Sequence, residues 1–143
     1  MKRFLSIALV LAAPLLEAQT GGGSSHWLQY RYANADVVAL GANLTGTRNT
    51  AVGSIALDAA DANDNTAIGY NALTASTGGG NTAVGSSALD ANTTGVSNVA
   101  IGLNALGANL GGNQNVAIGE DALLLNDGGN TNVAVGYGAL DAN

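Results

Sequence analysis

From residue 49 to residue 140 apolar and polar positions recur on two scales at once. On the longer scale six nonamers repeat: NTAVGSIAL from Asn49, NTAIGYNAL from Asn65, NTAVGSSAL from Asn81, NVAIGLNAL from Asn98, NVAIGEDAL from Asn115 and NVAVGYGAL from Asn132. Their glycines, Gly53, Gly69, Gly85, Gly102, Gly119 and Gly136, lie 16, 16, 17, 17 and 17 residues apart. A worn seventh copy, Val38-Ala39-Leu40-Gly41, stands upstream at a shorter spacing. On the shorter scale, position two is Thr or Val, position three is always Ala, and position four is Val or Ile. Residues two apart share one face of a strand. The β-branched pair at two and four therefore predicts a short strand, with that pair inward and the Ala on the opposite face. Glycine at position five ends the strand, because it bends at little steric cost.

Two variable residues later comes Ala-Leu, a further residue, and usually another Ala, as in ALDA from Ala56 and Ala88, ALTA from Ala72 and ALGA from Ala105. This predicts a second short strand with Leu inward. The return is turn chemistry, Asn92-Thr93-Thr94-Gly95 and Asn126-Asp127-Gly128-Gly129 among others. Strand, Gly turn, strand and polar loop in 16–17 residues leave no room for a crossover helix. The expected fold is all-β, a parallel β-solenoid of six to seven coils stacked about 4.8 Å apart, with six coils making a rod of about 29 Å.

Two invariant columns need an explanation. Asn49, Asn65, Asn81, Asn98, Asn115 and Asn132 either form an amide ladder at a corner or serve as turn residues that tolerate the left-handed conformation. Ala51, Ala67, Ala83, Ala100, Ala117 and Ala134 are small and apolar on a face that alternation would leave polar and variable. Close packing against a second copy of the chain accounts for them, which makes this column the candidate oligomer interface; a monomeric solenoid that keeps Ala for strand geometry is the alternative.

Upstream, Lys2 and Arg3 precede the apolar run Phe4–Leu16, and Leu16-Glu17-Ala18 ends in a small residue suited to cleavage. Residues 1–18 are expected to be a secretion signal, since the run falls short of the roughly 20 residues of a spanning helix. Residues 19–36 hold a Gly/Ser linker, Gly21–Ser25, and the aromatic stretch HWLQYRY, expected to cap the first coil or to form a ligand-binding patch. Residues 37–143 carry the repeats. After cleavage two basic residues face nine acidic ones, a net charge of −7. Such a surface, without a basic patch, argues against nucleic acid and anionic lipid as partners.

The run NVAIGxxAL with Asn-Thr-Thr-Gly loops resembles the head repeats of YadA-like trimeric autotransporter adhesins, and similar repeats occur in phage tail-fibre proteins. The match covers roughly Val37 to Asn143, and its most specific part is the six VAIG/AL units. The resemblance implies a left-handed parallel β-roll, a homotrimer with the constant Ala near neighbouring chains, a place at the cell surface or outside the cell, and binding to extracellular-matrix or host-surface ligands. No coiled-coil stalk and no run of amphipathic anchor strands accompanies the repeats, and the Gly-rich loops make each unit slightly longer than the family's common one.

Catalytic chemistry is not expected. There is no Cys and one His, His26, without a clustered ligand set beside it, so neither a nucleophile–base pair nor a metal or cofactor site is assembled. Ser54, Ser86 and Ser87 lack a base, and no Gly-rich stretch carries the Lys-Ser/Thr of a phosphate loop. Two other solenoid functions are weighed. Ice binding would use a Thr ladder, but the Thr50, Thr66, Thr82 column turns into Val99, Val116, Val133, which suggests a buried column. Calcium-dependent folding would need the GGxGxDxUx motif, which is absent.

Overall fold

The structure, a computed structural model, describes residues 17–19, 29–31, 39, 45–58 and 61–142. The expected signal lies outside them except for its last two residues, as do the Gly/Ser linker, His26, Trp27, most of the worn seventh copy and Asn143. Within that frame the nonamers form strands where their pattern places them. Strands β1 (Glu17–Gln19) and β2 (Gln29–Arg31) pair antiparallel, Ala18 opposite Tyr30, so β1 straddles the expected cleavage point. Six strands of the repeat follow: β3 (Thr50–Val52), β4 (Thr66–Ile68), β5 (Thr82–Val84), β6 (Val99–Ile101), β7 (Val116–Ile118) and β8 (Val133–Val135).

These six build one parallel sheet in chain order, with Ala over Ala at every step: Ala51, Ala67, Ala83, Ala100, Ala117, Ala134. The fold is a β-solenoid. Each position-two N–H donates to the carbonyl of the next coil's first Asn, as Thr50 does to Asn65 at 2.8 Å. Each corner Gly N–H donates to the position-four carbonyl of the coil before, as Gly69 does to Val52 at 2.8 Å. Backbone bonding thus runs from coil to coil, and every described coil is a neighbour's partner.

Which face is inside differs from the sequence expectation. Ala67, Ala83, Ala100 and Ala117 are fully buried within the single chain and Ala134 nearly so, while Ala51 is partly buried. Val and Ile at position four point outward. The core is made of Ala and Leu alone: the strand Ala, the Ala of Ala-Leu, and Leu57, Leu73, Leu89, Leu106 and Leu123. Alternation states which residues share a face; it does not state which face is the interior. Here the Leu column crosses a narrow interior, and a β-branched residue opposite it would overpack the space.

The second wall is not a strand. Residues 54–58 and their counterparts are turns, with left-handed backbone at Ile55 and Leu57 (φ 50° and 52°), repeated at Asn71 and Leu73, Ser87 and Leu89, Asn104 and Leu106, and Asp121 and Leu123. The reason lies in the neighbouring pair Ala56-Leu57, both fully buried. A strand would put adjacent side chains on opposite faces; left-handed residues on either side of the Ala turn both inward. Each such residue costs on the order of 1–2 kcal/mol. Burying a Leu gains about 1.5–3 kcal/mol, and the backbone stays bonded, Leu57 N–H to Ala72 O at 3.0 Å and Asn71 N–H to Ser54 O at 3.0 Å. Burial wins.

The first Asn column is a ladder. Oδ1 of Asn49, Asn65, Asn81, Asn98 and Asn115 each accepts the next Asn's backbone N–H at 2.8–2.9 Å. Their Nδ2 groups donate to loop carbonyls, Asn98 to Gly112 O at 2.8 Å for instance. The left-handed residue at this corner is the one before the Asn, as at Arg48, Asp64, Ser97, Gln114 and Thr131.

A second buried ladder runs through Ser76, Asn92, Asn109 and Asn126. Asn92 Nδ2 donates to Ser76 Oγ at 2.8 Å, Asn109 Nδ2 to Asn92 Oδ1 at 3.0 Å and Asn126 Nδ2 to Asn109 Oδ1 at 3.2 Å. The sequence pattern marked these only as turn residues. Their signal is the fixed step to glycine: Asn92, Asn109 and Asn126 each donate to the carbonyl of the Gly three residues on, Gly95, Gly112 and Gly129. In the 16-residue coil the shorter Ser76 bonds Gly78, two residues on, at 3.0 Å. The residue added in the longer coils sits inside this loop, so strand register is untouched.

Candidate self-association surface

The outer face of the β3–β8 sheet is built from positions two and four. Position four presents Val52, Ile68, Val84, Ile101, Ile118 and Val135, mostly exposed. Position two presents Thr50, Thr66, Thr82, Val99, Val116 and Val133, exposed at both ends of the column and half-buried between. The expectation that this column is buried therefore fails: with Ala filling the interior, Thr and Val both tolerate the outer side. No charged residue occupies either column.

Beyond the corner glycine, position six continues outward as Ser54, Tyr70, Ser86, Leu103, Glu120 and Tyr137. Tyr70 is 59% exposed, Leu103 44% and Tyr137 80%. Small and large residues alternate here over the first four coils; Glu120 breaks the alternation and is the column's single charge. Glycine between the two outward columns is imposed by space as well as by φ of 127–139°. A Cβ on Gly69, Gly85, Gly102 or Gly119 would run into the next coil's Gly carbonyl oxygen.

Charge lies elsewhere. Arg48 holds Asp64 in the next coil through Nε–Oδ1 at 2.5 Å and NH2–Oδ2 at 2.7 Å, with both side chains exposed. The guanidinium hydrogen bond lowers the Asp64 pKa below its ordinary value. Asp90 accepts from Asn71 Nδ2 at 3.1 Å, and Asn71 Oδ1 accepts from Thr74 at 2.8 Å. Partial burial raises the Asp90 pKa, opposed by backbone hydrogen bonds to its carboxylate. Asn104 Nδ2 donates to Asp121 at 3.0 Å. These polar networks bond their own neighbours. Among the described residues no group of three His, Cys, Asp or Glu side chains could hold a metal ion, and no helix is long and apolar enough to cross a membrane.

The candidate interface column Ala51, Ala67, Ala83, Ala100, Ala117 and Ala134 is thus brought together by the fold, one above the other, but inside the chain. Its side chains are used up by packing against the chain's own Leu column. The surface a second copy can reach is its strand neighbour, the Val/Ile column. The sequence carried a signal for this: an invariant small residue marks tight packing within the coil, and free exchange of Thr for Val marks a position that water can reach. Comparison with protein-family models, with curated proteins and with solved structures finds no match.

Proposed function

We propose that this chain is an exported, non-catalytic rod that acts as an adhesin head or fibre segment, assembled from three copies and presenting its loops to extracellular-matrix or host-surface ligands. One observation carries the reading: a charge-free apolar face runs the full length of the sheet in a chain of net charge −6. A typical monomer's largest apolar patch is about 300–600 Å² and often functional, and charge depletion with apolar content marks the buried core of an interface. The acidic loop residues Asp61, Asp64 and Asp127 stand exposed, away from that face. In this proposal the trimer packs through positions two and four, and the strand Ala supports the interface from within.

Sedimentation equilibrium tests the assembly. The mature chain is expected at three times its monomer mass. Ile101→Asp with Ile118→Asp should return it to a folded monomer, because both side chains point out. Ala100→Asp should unfold it instead, by burying a charge in an Ala/Leu core. An unmodified chain that stays monomeric at all concentrations overturns the trimer.

A second reading is favoured by the outward Thr column. Thr50, Thr66 and Thr82 with Val52, Ile68 and Val84 two residues on make a regular grid of hydroxyl and methyl groups, the kind of surface that orders water. A monomer with thermal hysteresis activity, lost in Thr66→Tyr, would establish ice binding in place of assembly.

A further inference from the structure

The position-six column has an order that lengthwise repetition does not require. Reading from the β3 coil to the β8 coil it runs Ser54, Tyr70, Ser86, Leu103, Glu120, Tyr137: short, large, short, large, long but polar, large. The three large residues are exposed. Neighbouring coils stand about 4.8 Å apart, so the projections are about 9.6 Å apart; Ser86 leaves a gap between Tyr70 and Leu103, and the exposed Glu120 stands between Leu103 and Tyr137.

What such a column fits depends on symmetry. Rods packed about an axis parallel to their length keep equal heights, so each coil meets its own counterpart and large residues meet large ones. A two-fold axis across the rod reverses the heights. Six coils then pair as β3 with β8, β4 with β7 and β5 with β6. Under that pairing Tyr137 falls on Ser54, Leu103 on Ser86 and Tyr70 on Glu120, with every coil used. Tyr137 and Leu103 each face the gap left by a serine, and the Tyr70 hydroxyl meets the Glu120 carboxylate, to which it can donate a charge-assisted hydrogen bond.

We propose that the ridge Tyr70–Leu103–Tyr137 is a docking surface for a second, antiparallel copy of this chain. An isologous two-fold contact is self-complementary by definition, and the reversed column meets that condition. Tyrosine is enriched among residues that dominate binding, and charge is depleted at interface centres; this strip has two of the former and one charge, which is partnered. The strip is about 24 Å long and on the order of 10 Å wide. That is less than the roughly 800 Å² per partner of a standard stable complex, so one rod holds one rod weakly and contacts add when rods lie side by side. The contact goes beyond the trimer reading, since single rods and a bundle with its ridge outward present the same column.

Cysteine cross-linking tests it, because the chain has no Cys of its own. Full-length Ser54→Cys and Tyr137→Cys chains are mixed in equal amounts and oxidised mildly. The antiparallel contact brings the two cysteines together and holds like positions about 24 Å apart. Mixed 54–137 disulfide dimers should exceed the statistical half of all dimers and rise with concentration. Like-with-like dimers in the majority, a merely statistical mixture, or no dimers would overturn the proposal. Ser86→Tyr is the second variant: filling the gap should weaken concentration-dependent pairing, read by sedimentation velocity, by about tenfold or more, some 1.4 kcal/mol. General apolar stickiness would instead be strengthened by the added ring, and that outcome also overturns it. Trimer mass and the Ile101/Ile118 variants report on the trimer reading separately.

Discussion

At the level of single residues, the backbone conformations the repeat demands are unevenly tolerant of change. Gly85 has φ of 137° and its missing Cβ is the space the Gly102 carbonyl occupies. Gly128 has open space around it. Gly85→Ala is therefore expected to destabilise the rod by at least about 3 kcal/mol, from left-handed strain and a backbone clash together. Gly128→Ala should stay within about 0.5 kcal/mol. Thermal unfolding by circular dichroism compares the two, and equal melting temperatures would contradict the geometry. The corner glycines were legible from sequence as strand ends. Their second role, letting the next coil approach, depends on stacking distance and has no local signature. Leucine in a left-handed conformation was not legible either, because local preference opposes it and burial decides it.

At the level of the element, side-chain amides act as extra strands of hydrogen bonding. Asn98 accepts the Asn115 N–H and donates to Gly112 O, all buried. Asn98→Ala would orphan the buried Asn115 N–H, at a cost of about 1–3 kcal/mol, while Gly112 O keeps its bond from Asn109 Nδ2. A loss of at least about 1 kcal/mol is expected in urea unfolding; a loss below 0.5 kcal/mol would mean the ladder holds nothing. The strand positions, their parallel stacking and the possibility of this ladder follow from period alone. The interior side did not, since a three-residue strand with apolar residues on both faces satisfies alternation either way. The candidate interface moved from Ala100 to Ile101 and its column for that reason: one residue along the chain, the opposite side of the sheet.

For the whole molecule, two carboxylates respond to acid in opposite directions. The Asp64 pKa is lowered by Arg48, so the stability it contributes is present above its unfolded value and fades as pH falls through the folded one. The pair is exposed and the contribution small. The Asp90 pKa is raised by burial, so its contribution is present below its unfolded value and is lost as pH rises through the folded one. Starting from neutral pH, Asp90→Asn should steepen the stability loss on acidification toward the ordinary carboxylate value of 3.8, and Asp64→Asn should flatten it. Melting temperatures across that range check both, and identical profiles for the two variants would refute the assignment. Overall charge and the acidic loops were plain in the sequence. Which carboxylate finds a partner depends on what stands one coil away, sixteen or more residues distant in the chain.

The loop after the second ladder already accepts Thr94, Gly111 or Gly128 as an additional residue without disturbing the strands on either side. Foreign peptides spliced at that point would be carried outward at regular height intervals. The same chain thus offers a ruler on which epitopes or tags can be mounted one storey at a time.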